Sequence, residues 1–505
     1  MRSPRVLGIL AALSLLAGCA TLEGPFSAHM ESASSAVREC AQWYRALDGE
    51  VDAAGARDGQ YARVAGFPYL RVDRFHSSLR GRAAAGRDTM HAFAERLLEL
   101  DIESRRHEIE NLPRVRFESL PGMERAARDE GLRHTLECGR MLRDIDLAGS
   151  DARTAMLANA RAPDDYSDAG RLLGLYPLTR LFFFRGVERW EEETRAAFRA
   201  EPQAAPDTII VRYSPPLSPS IPRAAIAGIL GREELDVLGV PILSARELGR
   251  IAAAYAPSFE VVISGDYDRF GRLRWLRGST VPEVDAAEAA VYVHSAYTRY
   301  GERVLLQLVY TLWFPERPAQ GEVDLLAGRL DGVTWRVTLA PDGEPLIYDS
   351  IHPCGCYHEF FPTPRARARP APETVEEWAF VPQELPAIRE GEHPMLRIAT
   401  RTHYIERVSV VRGAASVARY VLSPYDELRS LRTLEGGARS VFGPDGLIAG
   451  SERAERRLFW PMGIASAGAM RQWGRHATAF VGRRHFDDPD LLEKRFELEL
   501  GERSK

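Results

Sequence analysis

The sequence predicts an α+β fold, with an N-terminal helical domain followed by a mainly antiparallel β domain with hairpins. Two observations favour this fold class. Apolar residues recur at helical spacing up to about residue 200, whereas apolar and polar residues alternate from about residue 290 onward. A run of helices followed by a run of strands is typical of an α+β protein.

The helical domain is expected to span residues 31–200. One apolar stripe contains Val37, Cys40 and Tyr44, and proline-containing breaks divide the region into segments of helix length. Cys138 lies on the apolar side of a later segment, so two packed helices would allow Cys40 and Cys138 to form a disulfide.

A dense apolar run, Leu181–Phe184, lies near the end of this domain and continues at helical spacing to Phe198. Arginines and glutamates alternate with the apolar residues that follow the run. This pattern favours an ordinary buried helix with a charged outer face, and a helix lying on a membrane is the alternative.

The β domain follows a mixed α/β connecting region at residues 201–285. Residues 286–364 form the expected antiparallel sheet, with one hairpin turning near Gly301 and another near Gly343. Alternation from Val304 to Phe314, after the first turn, indicates a half-buried strand, and the residues from Val333 to Leu339 alternate before the second turn. Residues 365–505 are expected to hold a connector rich in proline and arginine and a C-terminal α+β region.

The N-terminus has the pattern of an export signal. Two arginines, Arg2 and Arg5, precede a short apolar segment from Val6 to Leu16, which is too short to span a bilayer comfortably. We therefore expect residues 1–18 to be a signal peptide that is removed.

Residues Leu16-Ala17-Gly18-Cys19 resemble the lipobox of bacterial lipoproteins. The resemblance covers only these residues, and it implies that Cys19 is lipidated and begins the mature chain, with residues 19–30 as a tether. By the same resemblance, Ala20 after the cysteine implies an outer-membrane address, and we expect the anchored protein to face the periplasm. An ordinary cleaved signal with an incidental cysteine is the alternative.

Composition narrows the class of partner. The net charge is −5 at pH 7, which argues against nucleic acid. The expected partners are the membrane, through lipidated Cys19, and an envelope protein. Common catalytic signatures such as the Walker A loop, Gly-x-Ser-x-Gly and His-Glu-x-x-His are absent from the sequence.

The chemically densest stretch contains His352, Cys354, Cys356 and His358 at intervals of two residues. In an extended strand the outer pair would lie roughly 20 Å apart, so one metal site requires the chain to turn at Pro353 or Gly355. The ligand types suit zinc or copper(I).

Two other interpretations of this stretch stay open. The two cysteines could form a redox-active dithiol, or they could be structural, bridged to each other or to Cys40 and Cys138. Two hypotheses about function follow. The first is an outer-membrane-anchored lipoprotein of binding or scaffolding type, and the second is a metal-binding or thiol-redox protein centred on residues 352–358.

Overall fold

The computed structural model describes residues 24–201, 208–216, 221–232, 235–413 and 418–501. The signal peptide and Cys19 lie outside the described residues. The chain divides into two compact units, which are Met1–Pro163 with Gly437–Pro444, and Asp164–Gly436 with Asp445–Lys505.

The predicted α+β fold class is confirmed, because helices fill the first unit and mainly antiparallel sheets build the second. The helical unit ends at Pro163, whereas the sequence pattern placed its end at residue 200. The difference is the helix Tyr176–Arg199, which packs on the second unit through rings such as Phe198 against Phe361, 5.8 Å apart.

The first unit contains eight helices among its described residues and one short hairpin, Ala62–Val64 with Phe67–Val72. The helices are Gly24–Met30, Ser35–Ala53, Arg74–Ser78, Arg80–Ala83, Arg87–Asn111, Arg114–Glu118, Arg128–Ala148 and Ser150–Asn159. The first of these helices lies within the segment expected to be a tether, residues 19–30. It packs against the rest of the unit, since His29 is buried and its Nε2 lies 2.9 Å from the carboxylate of Asp146.

Paired charges are buried in the first unit. The side chains of Arg71 and Arg105 are fully excluded from solvent, and both contact the carboxylate of Asp101, at 3.1 Å and 3.2 Å. Glu108 accepts a further hydrogen bond from Arg71, at 2.7 Å. A buried charge is strongly destabilising unless an opposite charge compensates it, and here each buried charge has such a partner.

The second unit is built around a six-stranded sheet. Its strands, in spatial order, are Glu359–Pro362, Pro345–Ile351, Gly328–Leu339, Arg303–Arg317, Ala290–Tyr300 and Val421–Pro424. Neighbours are antiparallel except the last pair. Both predicted hairpins are present, since Tyr300 pairs with Arg303 and Leu339 pairs with Pro345.

A five-stranded mixed sheet lies in the same unit. Its order is Ile405–Arg412, Glu392–Ile398, Ser258–Ile263, Ile209–Ser214 and Ala418–Arg419. One apolar core joins the two sheets, with Trp335 and Leu312 from the first sheet and Phe259 and Leu396 from the second.

Shorter elements complete the chain. The remaining strands are Arg272–Arg274, Glu283–Asp285, Ala366–Ala368, Leu431–Arg432, Ala438–Arg439 and Phe496–Leu498. The remaining helices are Asp168–Leu173, Tyr176–Arg199, Arg223–Leu230, Ala245–Ala254, Arg456–Phe459 and Leu491–Arg495. Single 3₁₀ turns lie at Asp266–Asp268, Tyr425–Ser430 and Trp460–Met462.

The helix Tyr176–Arg199 does not have the buried position that its apolar run favoured. Only Phe198 is buried, and Phe182 is 75% exposed. The reason is that the run places apolar side chains around most of the helix, and only the side carrying Phe183 and Trp190 meets other rings of the unit. No helix within the described ranges is long and apolar enough to cross a membrane.

Candidate functional site

The His/Cys stretch is the loop between the strands Pro345–Ile351 and Glu359–Pro362. The chain folds back here, because the amide of Gly355 donates to the carbonyl of His352 at 2.8 Å. Gly355 has φ of +89°, and a Cβ there would lie 2.4 Å from the carbonyl oxygen of Ala477. The turn that a compact site requires is therefore present and depends on glycine.

The turn does not bring the four side chains to one ion. The Nδ1 of His352 lies 3.2 Å from Asp331, whereas the Nε2 of His358 lies 3.0 Å from Asp349. Within the part of the chain that the structure describes, no group of three or more His, Cys, Asp or Glu side chains could hold a metal ion. The zinc or copper hypothesis thus finds no set of ligands there.

The cysteines fall into two classes. Cys40 and Cys138 form a disulfide between two helices of the first unit. Cys354 and Cys356 are buried free thiols, and the amide of Cys356 donates to the Sγ of Cys354 at 3.4 Å. The hydrogen bond with Cys354, followed by burial, raises the pKa of Cys356 well above its ordinary value. A thiol held protonated in this way is a poor nucleophile.

His358 belongs to a buried dyad with Asp349. Arg336 holds the same carboxylate through Nε and Nη2, with Nε at 2.9 Å, and stacks over the ring of Phe486. Burial raises the pKa of Asp349, but Arg336 and the hydrogen bond from His358 outweigh it and lower the pKa overall. Burial lowers the pKa of His358 to about 3. The imidazole is therefore neutral, donating from Nε2 and leaving Nδ1 as an acceptor.

A second buried network lies beside His352. Asp331 accepts from His352 through one oxygen and from His403 through the other, at 3.2 and 2.9 Å. The Nε2 of His403 lies 3.4 Å from Asp268, and the ring stacks on Phe314. Burial lowers the pKa of His403, but the nearby carboxylates of Asp268 and Asp331 outweigh burial and raise it. The two carboxylates therefore favour the protonated form of the His403 ring.

A cavity of about 440 Å³ opens next to the loop. One side is formed by Phe183 and Trp190 of the long helix, and the other by Phe380, Phe459 and Phe480. Neighbouring rings are close, with 5.1 Å between the centroids of Trp190 and Phe380 and 4.5 Å between those of Phe459 and Phe480. The cavity therefore presents a largely aromatic surface to a ligand.

Polar side chains converge on the same cavity. Cys356, Tyr357 and His358 reach its wall from the loop, and Tyr404 and Glu455 from later parts of the chain. The ion pair of Glu377 with Arg484 also lines the cavity, as do two glutamates of the long helix, Glu191 and Glu193. The Nδ1 of His358 is buried without a hydrogen-bond partner among the described residues. Burial raises the pKa of Glu455 to about 7. The Nδ1 of His358 is therefore open to a hydrogen bond from a ligand, because buried polar atoms are almost always hydrogen-bonded.

Backbone strain concentrates around the two networks. Leu330, Tyr357 and His403 are non-glycine residues with φ of 55°, 61° and 54°. Leu330 precedes Asp331 of the second network, His403 belongs to that network, and Tyr357 lines the cavity. Such conformations cost free energy and occur preferentially at functional sites, where the surrounding structure enforces them.

The sequence stretch therefore identifies part of the site. Cys356 and His358 line the cavity, whereas His352 and Cys354 lie behind it. Sequence reasoning did not find Glu455 and Asp331, because neither belongs to a recognisable motif and both reach the site only through long-range folding. The aromatic residues that follow Glu455, from Phe459 onward, were the available signal for an apolar wall.

Comparison of the chain with protein-family models, with curated proteins and with solved structures gives no match. The function must therefore be inferred from the geometry of the site.

Proposed function

We propose that the protein is an outer-membrane-anchored, periplasm-facing lipoprotein that binds an amphipathic molecule in the cavity of its second unit. The address is supported by the export signal and by the lipobox resemblance at Cys19. The observation that carries the binding function is a mainly aromatic cavity with a few convergent polar groups, the usual form of a small-molecule site.

The lining of the cavity indicates the chemical class of the ligand. Rings such as Trp190 and Phe380 favour an apolar body, either a flat ring system or an acyl chain. The free Nδ1 of His358 accepts a hydrogen bond, so the ligand is expected to carry a hydroxyl or amine donor. Glu455, with a pKa of about 7, accepts a second donor when ionised.

Hydrogen bonds among the protein's own residues position the walls. Asp349 and Arg336 fix the ring of His358, and Arg317 donates to the hydroxyl of Tyr404 at 3.3 Å. A pre-organised wall lowers the entropy cost of binding. The cavity is therefore suited to selective binding of one class of molecule.

The thiol-redox alternative is supported by one observation, namely that Cys356 lines the cavity and contacts Cys354. The raised pKa of Cys356 opposes it, since thiol–disulfide exchange requires a thiolate. Binding is the function that accounts for more of the site.

The proposal is tested by native mass spectrometry of the mature protein extracted from membranes. A co-purifying small molecule is expected, and Val187→Trp should remove it, because Val187 lines the cavity and the larger ring fills it. Ala196→Trp is the matched control, since Ala196 is exposed on the same helix. Retention of the molecule by Val187→Trp would contradict the proposed site.

A further inference from the structure

The second unit exposes a patch of large apolar side chains outside the cavity. Leu172 and Leu173 end the helix Asp168–Leu173, and Leu175, Leu178 and Phe182 follow within the next ten residues. Leu172 is 77% exposed and Leu178 63% exposed. We call these five residues, together with Leu458 and Trp460, the apolar surface.

Residues 458 and 460 belong to the same patch because the two segments pack side by side. The amide of Ser167 donates to the carbonyl of Gly463 at 2.8 Å. A Cβ on Gly174 would lie 2.5 Å from Pro461, so the two segments of the chain are in direct contact there. Leu458 and Trp460, 53% and 47% exposed, thus lie beside the leucines of the first segment.

The backbone under the apolar surface is held firmly. Arg171 donates to the carbonyls of Met462 and Gly482, at 2.9 and 2.6 Å, and stacks on the rings of Tyr166 and Tyr176. The exposed leucines therefore stand on an ordered framework. Large exposed apolar patches on such frameworks mark interaction sites.

Arginines flank the apolar surface without carboxylate partners. Arg180, Arg185 and Arg189 on the long helix, and Arg456 and Arg457 beside Leu458, form no ion pair within 4.0 Å among the described residues. Apolar and aromatic side chains bordered by arginine are characteristic of protein surfaces that lie in the interface of an anionic bilayer.

We infer that the apolar surface docks onto an anionic lipid bilayer, as a membrane contact separate from the acyl anchor. The unpaired arginines favour this occupant. Lipid phosphates complement guanidinium groups that have no carboxylate partner among the described residues, and a contact with a second copy is an outcome that the experiment distinguishes. Phe182 belongs both to this surface and to the cavity wall, so the cavity opens beside the proposed contact.

The experiment uses the mature chain from Cys19, secreted without lipidation, and vesicles of phosphatidylcholine with or without phosphatidylglycerol. Co-sedimentation is expected with vesicles that contain phosphatidylglycerol. Leu178→Asp with Trp460→Asp should weaken this binding at least roughly tenfold, because each apolar side chain loses its transfer into the interface. Both positions are exposed, so the fold is expected to be retained.

Leu434→Asp is the matched control, because Leu434 is 62% exposed in the same unit but lies outside the apolar surface. Arg456→Ser with Arg457→Ser should reduce the preference for anionic vesicles. Equal binding by wild type and Leu178→Asp with Trp460→Asp would overturn the inference, as would no binding to either vesicle. Self-association of the wild type that Leu178→Asp abolishes would assign the surface to a second copy and would also overturn it.

The outcome is separable from the cavity proposal. Val187→Trp, which fills the cavity, should leave vesicle binding unchanged. Loss of the co-purifying molecule with intact vesicle binding would support both proposals independently.

Discussion

His403 and Asp331 form an ion pair in which Nδ1 and Oδ2 lie 2.9 Å apart, with both side chains almost fully excluded from solvent. The other oxygen of Asp331 holds His352, so this one carboxylate connects the His/Cys loop to the loop that carries His403. The pair thereby fixes the wall of the cavity from behind, because Tyr404 follows His403 directly.

Asp331→Asn is expected to destabilise the second unit by about 3–5 kcal/mol, because it removes the nearer of the two carboxylates that face buried His403 and also the carboxylate that holds His352. Urea unfolding measures the loss. Asp266→Asn is the control, since its carboxylate is exposed and its contact with Arg269 spans 3.8 Å. Similar unfolding free energies for the two variants would show that the pair does not hold the site together.

Acid should destabilise the protein through buried neutral histidines. Burial lowers the pKa of His294, His358 and His476 to about 3. A histidine with a depressed pKa in the folded state contributes stability above its ordinary pKa near 6.5, and this stability is lost as pH falls toward 3. At pH 5 each of these histidines is expected to lower the free energy of unfolding by about 2 kcal/mol.

Unfolding free energies of wild type and His294→Phe at pH 7 and pH 5 test this. His294 packs between Tyr425 and Trp473, so phenylalanine preserves the ring contacts and removes the titration. The variant should lose less stability on acidification than wild type does. His91→Phe, at an exposed position, should behave like wild type in this comparison.

Glu455 should act in the opposite direction. Its pKa is raised from 4.5 to about 7, so the folded state holds the proton more tightly. Its contribution to stability is complete below 4.5 and is lost as pH rises through 7. Glu455→Gln should therefore gain on the order of 3 kcal/mol relative to wild type between pH 4.5 and pH 8. Glu452→Gln, at an exposed position nearby, should show no such gain.

The disulfide Cys40–Cys138 closes a segment with a sequence separation of 98 residues. Loop-closure entropy predicts that Cys40→Ala with Cys138→Ala lowers the unfolding free energy by about 3–5 kcal/mol. Reductant should destabilise wild type and leave the variant unchanged. Thiol titration of unfolded, unreduced protein should detect Cys354 and Cys356, and detection of further thiols from Cys40 and Cys138 would contradict the bridge.

The parts of the fold that the sequence predicted correctly are those set by local periodicity. Strand-length apolar runs and turn residues around Gly301 and Gly343 specify the two hairpins. The prediction that the strand Arg303–Arg317 is half-buried is wrong, because its residues 305–314 are all buried, with Leu306 in one apolar core and Leu305 in another. The helix Tyr176–Arg199 was predicted as a helix but not as an exposed one. Periodicity reports which side chains are apolar, and tertiary packing decides which of them are covered.

The site was less predictable because its contacts join distant parts of the sequence. Asp268, Asp331, His352 and His403 meet in one network, although each lies in a different strand connection or strand. Asp268 lies in a turn rich in aspartate, a pattern typical of solvent-exposed turns. It is nevertheless fully buried, and it accepts a hydrogen bond from the amide of Arg401 at 2.7 Å. Local patterns carry no information about such convergence.

The proposed function depends on binding of an amphipathic molecule in the aromatic cavity. The most direct measurement is the mass of any small molecule retained by wild type, Val187→Trp and Ala196→Trp after purification from membranes. We predict that wild type and Ala196→Trp carry the same molecule and that Val187→Trp carries none. An equal load on all three proteins, or no bound molecule on wild type, would contradict it.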